Sequence, residues 1–391
     1  MPNGPMPRGG PDMGPLADLK IIELAGIGPG PMAVTMLADM GATVLRIDRT
    51  VAADLGTPKG RVETQLLRRS RQEIALDLKH PPSVELVLEL VAQADVLIEG
   101  FRPGVTERLG LGPDVCMARN PRLVYGRITG WGQHGPLAHA AGHDINYIAI
   151  SGTLHAIGRR GQPPTPPMAL LGDMAGGGMF LVAGVLAALH ERTRSGLGQV
   201  VDAAICEGAA ALATASFGSV AGGTQNEERG TNIVDSGAPF YDVYECQDGK
   251  WISIGPIEAR FHRELLERLG LPATQSVSHM DRTHWEGARE VFTRTFRTRT
   301  RDQWCDLLEG SDVCFAPVLT FKEAPDHPHF VSRGSFVEVA GVRQPMPAPR
   351  FSRTPSAVPR VPQAPDPARF GQALSGWLAS ERIDQWRSRL G

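Results

Sequence analysis

Short apolar segments alternate with helix-like segments along the first half of the chain, and this alternation constrains the fold most strongly. The predicted strands are residues 19–25, 42–48, 73–79, 94–99 and 123–129, and the predicted helices between them include residues 32–40 and 82–93. Strands that are joined by helices pair in parallel. The pattern therefore predicts an open, doubly wound α/β domain.

The turn after the first strand contains three alternating glycines between residues 26 and 30, and Asp48 follows about twenty residues later. This resembles a dinucleotide-binding fingerprint. However, Pro29 and Pro31 stand where backbone N–H groups would have to face a pyrophosphate. We therefore expect a tight strand–helix turn here and no NAD site.

Composition narrows the classes of function. The net charge of -2 gives no reason to expect nucleic acid or an anionic membrane as a partner. The five cysteines are odd in number, scattered and never in a CxxC pair, which favours reduced thiols in the cytoplasm and no metal site. The apolar stretch 174–189 is shorter than the roughly 20 residues of a membrane span. It predicts a buried helix.

The length of 391 residues favours two domains. We predict a flexible Pro/Gly-rich extension at 1–14, a large domain at 15–205, a linker at 206–237, a smaller α+β domain at 238–330, and a connector with a closing helix at 331–391 that returns to the large domain. In the smaller domain, Asp248-Gly249 between two apolar runs predicts a β-hairpin. Helices are predicted there at 261–269 and 300–308.

Basic residues recur at or soon after the predicted strand ends: Arg49, Lys79, Arg102 and Arg108. Ligands of open parallel sheets bind at the carboxyl ends of the strands, where such cations could hold phosphates. The alternative is ordinary solvated surface charge.

Two segments carry the strongest candidates for acid/base chemistry. AGHDINY at 141–147 contains His143, and LGDMAGGG at 171–178 places Asp173 before a long apolar run. A histidine with an ordinary pKa of about 6.5 exists in both protonation states near neutrality. Taken alone, His143 could be structural and Asp173 could cap a helix, which would lower its pKa.

Residues 15–355 resemble the family III CoA-transferases (CaiB/BaiF type), and within them the α-methylacyl-CoA racemases. The similar segments are LADLKIIEL at 16–24, LADMGATVLRID at 37–48, ADVLIEGFRPG at 94–104, Gly172-Asp173 and GLGQ at 196–199.

The resemblance implies an interlocked homodimer with a Rossmann-like large domain, over which the small domain of the partner chain closes. It also implies that the coenzyme A part of an acyl-CoA thioester binds at the strand ends. The implied contacts are Arg49, Leu76, Asp77, Leu78, Lys79, Gly100, Phe101, Arg102, Arg108, Gly142, His143, Asp144, Ile145, Asn146 and Tyr147. Residues 50–66 differ in length from relatives, so no contact is assigned there.

The activity that the resemblance implies is racemisation at the carbon next to the thioester, with His143 and Asp173 on opposite faces. Asp173 needs a pKa raised towards neutrality by burial, and amides at the start of its helix are expected to hold the enolate oxygen. Glu258, supplied by the partner chain, would pair with His143. No metal or redox cofactor is expected.

Two alternatives stay open. A family transferase would use Asp173 as a covalent nucleophile, although the His143 motif favours the racemases. A non-catalytic acyl-CoA-binding protein is the other alternative.

Overall fold

The computed structural model describes residues 14–51, 60–272 and 279–390. Contacts divide these residues into two compact units. The first contains the residues up to 151, residues 168–212 and the residues from 332 onwards, and the second contains residues 152–167 and 213–331. The excursion of residues 152–167 into the second unit was not anticipated. The predicted domain boundaries stay predictions, and the predicted extension lies outside the described residues except for Gly14.

A six-stranded parallel sheet forms the centre of the first unit. Its strands are β1 (Lys20–Leu24), β2 (Thr43–Asp48), β3 (Gln72–Ala75), β4 (Val96–Glu99), β5 (Val124–Thr129) and β6 (Val200–Ala204). They follow the order β3-β2-β1-β4-β5-β6. This is the Rossmann strand order, with its switch point between β1 and β4. The predicted α/β class is confirmed.

The other strands form two small antiparallel sheets. They are β7 (Asp242–Glu245), β8 (Trp251–Ile254) and β9 (Phe315–Pro317) in the second unit, and β10 (Phe336–Val339) and β11 (Val342–Pro345) in the first. The predicted hairpin around Asp248-Gly249 is confirmed by the pairing of β7 with β8. The hairpin of β10 and β11 lies within the predicted connector and was not itself predicted.

The α-helices are α1 (Pro29–Asp39), α2 (Pro81–Val91), α3 (Val105–Arg108), α4 (Pro113–Arg119), α5 (Asp144–Ile150), α6 (Thr153–Ala156), α7 (Phe180–Ser195), α8 (Ile205–Leu212), α9 (Thr214–Ala221), α10 (Ala259–Leu269), α11 (Trp285–Phe296), α12 (Arg301–Leu308), α13 (Pro328–Arg333), α14 (Phe370–Leu374) and α15 (Ser380–Leu390). A π-helix at Leu170–Met179 continues directly into α7. Short 3₁₀ turns lie at Val62–Thr64, Leu66–Arg68, Arg282–His284, Ala324–Asp326 and Pro367–Arg369.

Proline begins several of these helices. Pro occupies the first turn of α1, α2 and α4, where its missing N–H leaves no intrahelical bond unmade. The single closing helix predicted near the C-terminus is instead the separate helices α14 and α15. The predicted linker contains α9 and most of α8.

Apolar side chains cover both faces of the parallel sheet. On one face, Leu45 and Leu97 pack with α2, α14 and α15, and on the other, Val44 and Val96 pack with α1 and α7. Alternate residues of buried parallel strands point to opposite faces, which requires apolar residues on both. The carboxyl ends of the strands remain as the edge on which a ligand site can form.

The helical segment Leu170–Ser195 is, by length and composition alone, apolar enough to cross a membrane. A core helix of a globular domain passes the same test. One such segment is therefore weak evidence, and the absence of a membrane partner stays a prediction.

Candidate active site

A cleft of about 520 Å³ opens at the carboxyl ends of β1, β4 and β5. The turns after these strands, the start of α5 and the π-helix contribute its walls. The lining residues are 27, 29, 100–103, 128–131, 138, 140–143, 146, 147, 173 and 205. His143 and Asp173, which are thirty positions apart in the sequence, therefore face one cavity.

Asp173 lies in the first turn of the π-helix and is not the cap of a helix that begins at Met174. Its backbone N–H donates to Asp144 Oδ1 at 2.6 Å. Burial, and to a smaller extent the charge of Asp144, raise the pKa of Asp173 from 3.8 to about 6, while His143 acts to lower it. Burial therefore outweighs the influence of His143 on the pKa of Asp173, as the expected chemistry requires.

The N–H groups expected to hold an enolate oxygen are engaged elsewhere. The amide of Asp173 is bonded to Asp144, and the amide of Met174 donates to the Ala169 carbonyl at 3.2 Å. The reason is that the helix begins at Leu170, four residues earlier than predicted. That amides at the start of this helix hold the enolate oxygen stays a prediction.

His143 is the N-terminal cap of α5, with an extended backbone and an exposed side chain. Its N–H donates to Asn146 Oδ1 at 3.0 Å, and its carbonyl accepts from the Asn146 N–H at 2.8 Å. These reciprocal bonds fix the backbone of His143 at the rim of the cleft. Asp144, the next residue, is buried behind it against the π-helix.

The turn between β1 and α1 forms another wall. Gly28 has φ 65° and ψ -116°, which only glycine adopts readily, and a Cβ there would lie 3.0 Å from Asp173 Oδ2. Arg71, which is buried, donates to the Pro31 carbonyl at 2.6 Å and forms an ion pair with Glu23 at 3.1 Å. A buried charged group thus holds this turn beside Asp173.

A second buried ion pair supports the wall after β4. Glu99 accepts from the Phe101 N–H at 2.7 Å and pairs with Arg127 at 2.7 Å. Both charged side chains are buried. The pair therefore fixes the start of the segment that carries Phe101 and Arg102 into the cleft.

A sequence model of CoA-transferase family III matches residues 16–381. The chain belongs to this family. It is 42% identical over 351 residues to the α-methylacyl-CoA racemase of Mus musculus, and 40% identical over 352 residues to that of Homo sapiens, with 90% of each chain covered in both cases. It is 31% identical over 361 residues to the succinyl-CoA–D-citramalate CoA-transferase of Chloroflexus aurantiacus, covering 88% of this chain and 89% of that protein.

Solved structures share the fold. A CaiB/BaiF family protein from Brucella suis superimposes with a TM-score of 0.75 at 24% identity, over 97% of this chain and all of that chain. A protein from Mycobacterium tuberculosis gives a TM-score of 0.76 at 25% identity, over 93% of this chain and 99% of that chain. The resemblance stated from the sequence is thereby confirmed at the level of family and fold.

The predicted coenzyme A contacts of this family member separate into groups. Gly100, Phe101, Arg102, Gly142, Asn146 and Tyr147 line the cleft together with His143. Leu76 and Asp77 instead line a second cavity of about 290 Å³ beside α14 and α15. Arg49, Leu78, Lys79, Arg108, Asp144 and Ile145 line neither of these cavities.

Two of these placements differ from expectation. Strand β3 ends at Ala75, so Lys79 lies four residues beyond the strand end that was predicted to carry it. Leu76 is buried in the core, so its side chain contributes packing more than a polar contact.

Glu258 caps α10 in the second unit, and its side chain is exposed. Its carbonyl accepts from the His262 N–H at 3.0 Å. The pairing of Glu258 with His143 stays a prediction.

Sequence reasoning missed several residues of the site. Trp131 and Ile27 line the cleft, and the contribution of Glu99 and Arg127 is invisible in the sequence because they are distant in the chain. The Gly28-Pro29 dipeptide was the available signal for the α1 wall. Within residues 14–51, 60–272 and 279–390, no group of three or more His, Cys, Asp or Glu side chains could hold a metal ion.

Proposed function

We propose that the protein is an isomerase, an α-methylacyl-CoA racemase that interconverts (R)- and (S)-2-methylacyl-CoA thioesters. The observation that carries the proposal is that His143 and Asp173 line one cleft, with the pKa of Asp173 raised to about 6. The relatives with 40–42% identity that bear the racemase name support it.

The reaction needs one base and one acid on opposite faces of the α-carbon. One group removes the α-proton to give an enolate thioester, and the other donates its own proton to the opposite face. The two groups exchange roles in the reverse direction. An Asp173 pKa of about 6 supports this cycle, because both protonation states of the carboxyl are then populated near neutrality.

We propose that the acyl-CoA thioester enters the cleft with its nucleotide towards strands β2 and β3. Arg102, which lines the cleft and is exposed, would meet a phosphate of coenzyme A. The apolar lining formed by Ile27, Trp131 and Ile205 would face the acyl group. The roles of Arg49, Lys79 and Arg108 stay predictions of the same kind.

We also propose that the protein works as a homodimer whose partner chain supplies Glu258. Large apolar side chains are exposed on neighbouring elements of the first unit: Ile150 at 60%, Leu170 at 60%, Met179 at 52% and Leu212 at 47%. Such exposure is unusual on a surface that stays in water. A second copy that covers these side chains is the partner implied by the family resemblance, and sedimentation velocity tests it.

The function is tested by incubating a single enantiomer of a 2-methylacyl-CoA with the protein in heavy water. We expect deuterium at the α-carbon and loss of optical purity, because protons held by His143 and Asp173 exchange with solvent between turnovers. His143→Ala and Asp173→Ala variants should lose both signals. Full exchange in His143→Ala would contradict the assignment.

The family also contains CoA-transferases, so transfer through an acyl-Asp173 intermediate is the second candidate. Hydroxylamine added during turnover with a donor thioester and an acceptor acid distinguishes the two, since only a transferase gives an adduct at Asp173. Activity without a metal or redox cofactor, and a cytoplasmic location, stay predictions. Dialysis against a chelator before the heavy-water assay tests the metal prediction.

A further inference from the structure

The side chain of Tyr147 is enclosed by the polypeptide next to His143. Tyr147 is buried, and its hydroxyl donates to the carbonyl of Gly142, the residue directly before His143. Its ring stands edge-on to Trp131, with 4.7 Å between the ring centroids. The phenol is therefore held at both its polar end and its ring face.

Two glycines lie against this ring, where a side chain would not fit. A Cβ on Gly142 would lie 2.7 Å from Tyr147 Cε1, and a Cβ on Gly130 would collide with the same ring carbon. Both distances are below the separation that real Cβ atoms show. The two glycines line the cleft, as Tyr147 itself does, and leave just enough space for its ring.

The hydroxyl of Tyr147 completes the set of bonds that fix the backbone of His143. The N–H of His143 donates to Asn146 Oδ1 at 3.0 Å, and its carbonyl accepts from the N–H of Asn146 at 2.8 Å and of Tyr147 at 3.3 Å. The peptide on the N-terminal side of His143 is held through the Gly142 carbonyl by the tyrosine hydroxyl. Tyr147→Phe removes that bond and keeps the ring.

We infer that Tyr147 is a positioning residue for the reaction: it acts through Gly142 to hold the imidazole of His143 at the α-carbon. The inference rests on the proposed function. Misplacement of a reacting group by about 1 Å can cost about 100-fold in rate. Loss of one of several anchoring bonds should cost less, and we expect Tyr147→Phe to lower kcat by about tenfold while KM for the acyl-CoA changes less than twofold.

The experiment measures kcat, KM and the primary isotope effect of a 2-deuterated acyl-CoA for the full-length protein and Tyr147→Phe. The isotope effect should increase, because proton transfer becomes more rate-limiting when the imidazole is less well placed. The matched control is Tyr125→Phe. Tyr125 is also buried in the first unit and donates to a backbone carbonyl, that of Leu111, at 2.8 Å. This control should lose similar thermal stability and keep its kcat and isotope effect.

A second variant, Gly130→Ala, displaces the ring while the hydroxyl is retained. We expect Gly130→Ala to lose at least as much kcat as Tyr147→Phe. The double variant should lose less than the product of the two separate losses, because both substitutions disturb the position of the same His143 side chain. Unchanged kcat in Tyr147→Phe, a raised KM at constant kcat, or an equal loss of kcat in Tyr125→Phe would overturn the inference. Absence of exchange in the unmodified protein would instead overturn the proposed function.

Discussion

Replacing Asp144 with Asn separates the charge of this carboxylate from its hydrogen bond. Asp144 Oδ1 accepts from the Asp173 N–H at 2.6 Å, and an asparagine carbonyl can keep that bond. The negative charge next to Asp173 is lost. Since that charge raises the pKa of Asp173, the substitution should lower this pKa.

The magnitude follows from the balance at Asp173. Burial and Asp144 together outweigh His143 and raise the pKa from 3.8 to about 6. Burial is the larger cause, and water in the open cleft screens the charge, so we assign about one pH unit to Asp144, equivalent to about 1.4 kcal/mol. In the proposed mechanism, the active free enzyme holds one proton between His143 and Asp173. A lower Asp173 pKa therefore moves mainly the acid limb of the kcat/KM profile, on which the pair gains a second proton.

The assay is the pH dependence of kcat/KM for deuterium exchange between pH 4.5 and 9. We expect the acid limb of Asp144→Asn to move to lower pH by about one unit, with little movement of the alkaline limb. Asp144→Ala should show the same movement and a lower plateau, because the Asp173 N–H then loses its partner. Asp114→Asn, which alters an exposed carboxylate on α4, is the control. An acid limb that stays in place or moves to higher pH would refute the reasoning.

Three further predictions concern stability and binding. Because the pKa of Asp173 is raised in the folded state, the parent protein loses stability as the pH rises from about 4 to about 6. Asp173→Asn should therefore be more stable than the parent at pH 8, by about 1–2 kcal/mol after allowance for solvent screening, and should differ little from it at pH 4. Urea unfolding at both pH values checks this. Gly172→Ala should lose about 1–3 kcal/mol of unfolding free energy and most of its activity, because the new Cβ would collide with Asp144 Oδ1 and lie 2.8 Å from Ile148. The control is Gly287→Ala in α11, which has open space around the new Cβ and should not be destabilised in the same unfolding assay. Arg102→Gln should raise KM for acyl-CoA about tenfold at low salt with kcat nearly unchanged, and an effect on kcat alone would contradict a phosphate contact.

The parts of the fold that could be predicted are those set by short-range patterns. Apolar runs between helix-like segments were enough to predict the parallel sheet, because nearly all the apolar residues of β1 to β5 are buried in the core. Helix α11 was not predicted, since Arg, Glu and Thr residues interrupt its apolar positions. The start of the helix that carries Asp173 was also misplaced. Three consecutive glycines follow Asp173 there, and the structure shows that they fit against α1 and α8, a reason that exists only in three dimensions.

The same distinction applies to the chemistry. The sequence could select His143 and Asp173 by their motifs, but a motif does not determine the protonation behaviour of a carboxyl. That behaviour depends first on burial and then on Asp144, which is close to Asp173 because Gly172 allows the π-helix to approach α5. A carboxylate that bonds to the Asp173 backbone holds the helix in place, and its charge at the same time makes Asp173 a weaker acid. Asp144 thus links the packing of the π-helix to the pKa on which the proposed proton transfer depends. Asp144→Asn keeps the packing and removes the charge, so this substitution can separate the two effects.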